Sequence, residues 1–190
     1  MLFTAVEKMV GDAKRGFSLT PDTLKALHGL VIRDIYNCAG KLRTGNVYLM
    51  RNGEIDNTKH QPPPWEYVVS FVDETCKYVN ENFGKSPIHL SAYAMWRVNW
   101  VHPFMGGNGR TSRAVSYLLL NVRLGFNLPG VNTIPQQIET DRVPYYEALE
   151  HADKAFAASG KVDVSAMEAL ISNDLAVQLL SVHQKASGAA

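Results

Sequence analysis

The stretch His102-Pro103-Phe104-Met105-Gly106-Gly107-Asn108-Gly109-Arg110-Thr111-Ser112-Arg113 gathers an imidazole, a glycine run, a carboxamide and a pair of guanidinium groups. Glycine adopts backbone angles that side chains forbid. Gly106, Gly107 and Gly109 therefore let successive N–H groups point into one concavity, where they bind an anion. A helix starting near Gly109 adds free amides and the positive end of its dipole. Asn108 can donate its side-chain amide to a phosphate oxygen. Arg110 and Arg113 share a helix face, and guanidinium groups grip phosphate in a fork while staying charged. These are parts for a polyphosphate, and a nucleotide is the expected occupant. His102, at the end of the preceding helix, sets an imidazole beside it, with a pKa range suited to taking a proton from an incoming hydroxyl. Phe104 reads as a buried wedge that fixes the loop, and Met105 as a further packing residue. The pattern is not a Walker loop, GxxxxGK[ST], nor a dinucleotide fingerprint, since no strand precedes it.

The chain that must position these groups has 190 residues, 46% of them hydrophobic and 19% charged, with a net charge of +1. That length suits one domain with a sizeable core. The basic residues are scattered, with no stripe interleaved with aromatics, so direct nucleic-acid binding is not expected. Cys38 and Cys76 form no CxxC and no metal spacing with histidine; both read as buried thiols. Glu7 and Lys8 break the apolar run that a signal peptide needs. No segment approaches the ~20 apolar residues of a membrane span. A cytoplasmic protein is expected, with export by a signal-independent route left open.

The apolar periodicity is helical over most of the length. Thr20 and Pro21 open a helix that the pattern carries to Gly40, with Leu24, Leu27, Val31 and Ile35 on one face. A second follows the proline run at 62–64 and stops at Gly84. Ser86 and Pro87 open a third. The fourth begins with Gly109 and carries Val115, Leu118, Leu119 and Val122. The fifth runs through "TDRVPYYEALEHADKAFAASG", with a proline tolerated in its first turn. Ser165 and Glu168 stand at capping-box spacing before the last. Residues 45–64 break the pattern, and Asn52-Gly53 predicts a type I′ hairpin turn. The expected architecture is an all-α bundle over 20–184 with one short β-hairpin, preceded by a lead-in helix or extension over 1–19 and followed by a disordered tail over 185–190.

The stretch His102–Arg113 resembles the signature of the Fic domain family, HPFx[D/E]GNGRxxR, differing at the acidic position. The resemblance spans roughly residues 20 to 180. "AGKLRTGNVYLMRNG" with "HQPPP" is similar to the family's substrate-gripping flap, and "RVPYYEALEHADKA" to its later helix near the nucleotide. It implies a Fic-type fold and transfer of AMP from ATP to a hydroxyl of a target protein. By match, His102 deprotonates that hydroxyl, and Asn108 with the amides of Gly107 and Gly109 holds the inner phosphates. Arg110 and Arg113 bind the outer phosphates, and Tyr145 or Tyr146 lines the adenine pocket. The hairpin, about 46–62, grips the target by strand addition.

Gly106 stands where the family carries an acid, usually a ligand of Mg²⁺. The resemblance thus implies ATP as substrate and Mg²⁺ as its companion, with no protein metal ligand at this position. Three outcomes are left open: AMP transfer, a related transfer of another phosphate-containing group including kinase-like use, and a nucleotide- or peptide-binding module weakened by Gly106. The family's inhibitory signature, [ST]xxxE[GN], has no clean copy here. Ser70 and Glu74 have its first spacing, but Thr75 follows and the segment lies in a core helix. A separate antitoxin-like protein, or a segment outside this sequence, is a candidate for that role.

Overall fold

The computed structural model describes residue 11, residues 16–32 and residues 38–187. Thr20, in extended conformation, caps helix α1 (Pro21–Val31), its Oγ1 accepting from the Thr23 amide. Pro21 fits the first turn, where its missing N–H costs nothing. A hairpin follows, β1 (Met50–Arg51) pairing antiparallel with β2 (Glu54–Ile55). A short 3₁₀ turn, Trp65–Tyr67, leads into α2 (Val68–Glu81). Then come α3 (Pro87–Val101), α4 (Asn108–Leu124), α5 (Ile134–Thr140), α6 (Val143–Ser159) and α7 (Ser165–Ala186). The described chain is thus an all-α bundle with one small hairpin, as the periodicity predicts.

Helix α3 is the central element. Every side chain from Leu90 to Val98 is buried, so no face of it is amphipathic; a helix apolar all round belongs in a core. Helix α4 packs along it, with Val115, Leu118 and Leu119 buried between them. Helices α1, α2, α6 and α7 surround this pair. Helix α3 ends at the loop of residues 102–107 and α4 starts from it. The core therefore fixes that loop from two sides.

Several expectations need correction. Helix α1 stops at Val31, with Ile32 as its cap. Gly40 lies in a separate turn at φ +73°, and Ile35 lies outside the described residues. Cys76 is buried, but Cys38 is half-buried in that turn; both thiols are free. Met105 is exposed (56%), whereas Phe104 is fully buried. Glu168 does not close a box with Ser165. It accepts from His89 Nδ1 at 2.6 Å, while Asp163 Oδ1 takes the Ser165 amide at 3.0 Å. Helix α7 runs on to Ala186, into the expected tail. Most of the lead-in over 1–19, and residues 188–190, lie outside the described residues. Helix α5 was not expected. Its signal was present: Pro135 in the first turn, and Gln136 Oε1 accepting from the Thr133 amide, the reciprocal bond of a capping box.

Candidate active site

His102 caps α3 in the left-handed conformation, φ 50° and ψ 57°. That conformation costs a side-chain-bearing residue about 1–2 kcal/mol, and non-glycine strain of this kind concentrates at functional sites. Burial is the main cause that pulls the imidazole down from 6.5 to about 4; Arg43 and His60 push the same way, and a hydrogen bond to the Asn99 backbone opposes them. The ring is therefore neutral at pH 7.

The loop that follows is clasped from inside. Asn108 Oδ1 accepts from the Phe104 amide at 3.0 Å, and Asn108 Nδ2 donates to the Phe104 carbonyl at 2.8 Å. The carboxamide expected to meet a phosphate thus bonds the loop at both ends, with one N–H of Nδ2 used of two. Phe104 stacks on His28 with centroids 3.7 Å apart. His28 accepts from the Gly40 amide at Nδ1, so its proton is on Nε2, which donates to the Gly106 carbonyl at 3.0 Å. Burial lowers the His28 pKa, Arg110 adding to it against the Gly106 bond.

Gly107 sits at φ +75°, and a Cβ there would lie 2.3 Å from Ile32 Cγ2. Glycine is required on both counts. The first intrahelical bond of α4 runs from the Thr111 amide to the Gly107 carbonyl, so the amides of residues 108–110 have no helical partner. With no acidic residue in this first turn, those amides and the helix dipole are available to an anion. Gly106 is not among the positive-φ glycines of the described residues.

His102, Gly107, Asn108, Gly109, Arg110, Arg113, Tyr145 and Tyr146 all line one cavity of 1070 Å³. Sequence spacing joined 102 to 113; the fold brings in the tyrosines from α6. Tyr145 is buried, its hydroxyl accepting from Asn99 Nδ2 at 2.7 Å, whereas Tyr146 is half exposed (52%). Arg110 reaches back to the Val31 carbonyl at 3.3 Å. Arg113 is 8% exposed and meets Glu139 Oε2 at 2.6 Å, and Glu139 also pairs with Arg142.

Sequence reading missed Glu139, Arg142, Asp153 and His60, all on the cavity wall. Arg142 and Asp153 fall inside the quoted helix segment, but nothing in their spacing singles them out. Asp153 Oδ1 takes the Trp96 indole N–H at 2.8 Å, and burial raises its pKa against that bond. The hairpin covers this end. Asn52 and Gly53 both have positive φ, 53° and 88°, as a type I′ turn requires. Gln61 staples its two arms, accepting from the Leu49 amide and donating to the Asp56 carbonyl. Lys59 reaches across to Glu150 on α6 at 2.7 Å.

A protein-held Mg²⁺ does not fit this donor set. The acidic position is Gly106, Glu139 is engaged by arginines, and the described residues hold no cluster of metal-ligating side chains. No helix among them is long and apolar enough to cross a membrane.

The helical bundle with its hairpin is the fold of solved Fic proteins. It matches a Caenorhabditis elegans Fic-1 fragment with a TM-score of 0.72 at 22% identity, covering 98% of this chain and 51% of that one. A Fic domain-containing signaling protein from Bacteroides thetaiotaomicron gives a TM-score of 0.71 at 19% identity, covering 98% and 71%. The Fic/DOC family model matches residues 18–120, and the chain belongs to that family. Among curated relatives, the protein adenylyltransferase fic-1 of Caenorhabditis briggsae is 35% identical over 117 residues, 60% of this chain and 20% of its own length. The protein adenylyltransferase Fic of Drosophila persimilis is 30% identical over 132 residues, 66% and 24%. The chain thus spans about a fifth to a quarter of the relatives' length.

Proposed function

We propose that this chain transfers AMP from ATP to a hydroxyl side chain of a target protein. The observation that carries the reading is one cavity in which a neutral imidazole, His102, shares the wall with the free amides and arginines at the start of α4. The relatives named adenylyltransferases support it.

The step balances without a covalent enzyme intermediate. His102 takes the proton of the target hydroxyl, and that oxygen attacks the α-phosphorus. The bond to the bridging oxygen breaks and pyrophosphate leaves with its electron pair. Bound phosphates raise the imidazole pKa from its low value, since nearby negative charge favours the protonated form, and this brings the base toward the working pH. Amides of residues 108–110 and Arg110 oppose the phosphate charge, which is where electrostatic catalysis acts. Arg113 and Arg142 take the outer phosphates after parting from Glu139. Mg²⁺ takes no part in this step, because the described residues hold no cluster of metal-ligating side chains.

The hairpin over 46–62 receives the target chain, and a separate inhibitory protein of antitoxin type is a further partner. Gly106 favours a second reading, a nucleotide-binding module without transfer. Incubating the protein with α-labelled or γ-labelled ATP and target-containing extract separates them. Protein label from the α position alone, lost in His102→Ala, is the expected result. Label from the γ position that is likewise lost in His102→Ala marks a kinase, and ATP binding with no His102-dependent label marks the module.

A further inference from the structure

Arg43 is a buried cation with 3% exposure; Glu66 is its charge partner, and every hydrogen-bond acceptor of its guanidinium among the described residues is a backbone carbonyl. Nε donates to His102 at 2.8 Å. Nη1 donates to Gly45 at 3.1 Å, on the arm entering the hairpin. Nη2 donates to Pro63 at 2.6 Å, on the arm leaving it, and to Val101 at 3.3 Å. The Arg43 amide adds a bond to the Pro103 carbonyl at 2.9 Å. One planar fork therefore joins both stems of the hairpin to the last turn of α3.

The His102 carbonyl is the group that the left-handed turn swings out of the α3 ladder, and Arg43 meets it there. Elsewhere the hairpin touches the cavity rim through the surface pair Lys59–Glu150, and exposed ion pairs hold geometry weakly. His60 also joins the hairpin to the last turn of α3, through the Trp100 carbonyl at 3.0 Å and a ring stack at 4.9 Å, and its charge acts on the His102 ring, but of these residues only Arg43 bonds the His102 backbone.

The geometry points to Arg43 as the positioning residue that locks His102 and the hairpin into one rigid unit. This rests on the reading that His102 is the base for a hydroxyl presented by the hairpin. The base rides on α3 and the hydroxyl on the hairpin, so their separation is set by whatever joins the two. A lysine has the charge but not the fork, and it cannot reach carbonyls on three segments at once.

Arg43→Lys tests this. A misplacement of about 1 Å costs on the order of 100-fold in rate, so kcat for transfer should fall by about that factor. KM for ATP should stay near wild type, while the melting temperature falls by several degrees as buried carbonyls lose charged donors. An unchanged kcat in a folded Arg43→Lys protein overturns the proposal. So does a loss of ATP affinity that parallels the loss of kcat, which marks a general structural role. A second arm needs neither variant nor turnover. In wild-type native-state hydrogen exchange, the amides of Arg43, Leu49, Trp65 and His102 should share one opening free energy and one denaturant dependence, as a cooperative unit does. Separate openings of hairpin and His102 overturn it. If wild type transfers nothing, the transferase reading fails, and the exchange arm still decides whether Arg43 makes one unit.

Discussion

Gly107→Ala and Gly109→Ala add the same methyl two residues apart, and the structure assigns them opposite effects on stability. At Gly107 the new Cβ would lie 2.3 Å from Ile32 Cγ2, on a backbone at φ +75°. The left-handed conformation costs alanine about 1–2 kcal/mol, and overpacking a core side chain costs about 1–3 kcal/mol. The loss is roughly 2–5 kcal/mol, a large share of the ~5–15 kcal/mol that holds a domain together. For a chain of this size that lowers the melting temperature by roughly 5–20 °C. At Gly109 the nearest atom to a new Cβ is Arg113 Nη1, at an ordinary 3.6 Å, and the residue is helical. Alanine there is neutral or gains up to ~1 kcal/mol, but its methyl enters the cavity and should weaken ATP binding. Thermal melts and ATP titrations of both variants read the pair. If Gly107→Ala melts within a degree or so of wild type, the proposed close approach of the loop to α1 is wrong.

Other expectations follow from the same geometry. His102→Ala should keep the fold and ATP binding while transfer drops ~10²–10⁴-fold, read by α-label incorporation. His102 falls from 6.5 to about 4 on folding, so the unfolded chain takes up the proton first; its stability contribution is intact above pH 6.5 and is lost as pH falls toward 4. His28 shifts in the same direction, and urea midpoints measured from pH 7 to 4 should decline accordingly, less steeply in His102→Ala. Glu139→Gln frees Arg113 and Arg142 and should tighten ATP binding by about tenfold or more, since a bond to a charged group contributes ~1.5–3 kcal/mol; equal affinities by calorimetry would show that the ion pair does not compete. Gly106→Asp meets no positive-φ penalty and supplies an oxygen ligand suited to Mg²⁺, so transfer should gain Mg²⁺ dependence while metal-free ATP binding weakens.

Much of this site was legible because its parts are contiguous. Residues 102–113 carry the base, the nest and the arginines in one segment, and the helices on either side are marked by caps and periodicity. The hairpin was legible from Asn52-Gly53 for the same local reason. What the sequence hid depends on tertiary contacts. Asn108 reads as a phosphate donor until the fold turns it onto Phe104. Arg113 reads as a free cation until α5 brings Glu139 against it. Arg43 stands in an unremarkable loop, and only the convergence of Gly45, Pro63 and His102 around it reveals a fastening point. Spacing along a chain reports neighbours on one element; it does not report which elements meet.

The most direct test of the central claim is a crystal structure of the protein soaked with a non-hydrolysable ATP analogue. The expected result is phosphates on the amides of residues 108–110, the α-phosphorus facing the His102 imidazole, and Arg113 parted from Glu139. A nucleotide bound away from α4, or one whose α-phosphorus lies beyond reach of His102, would contradict it.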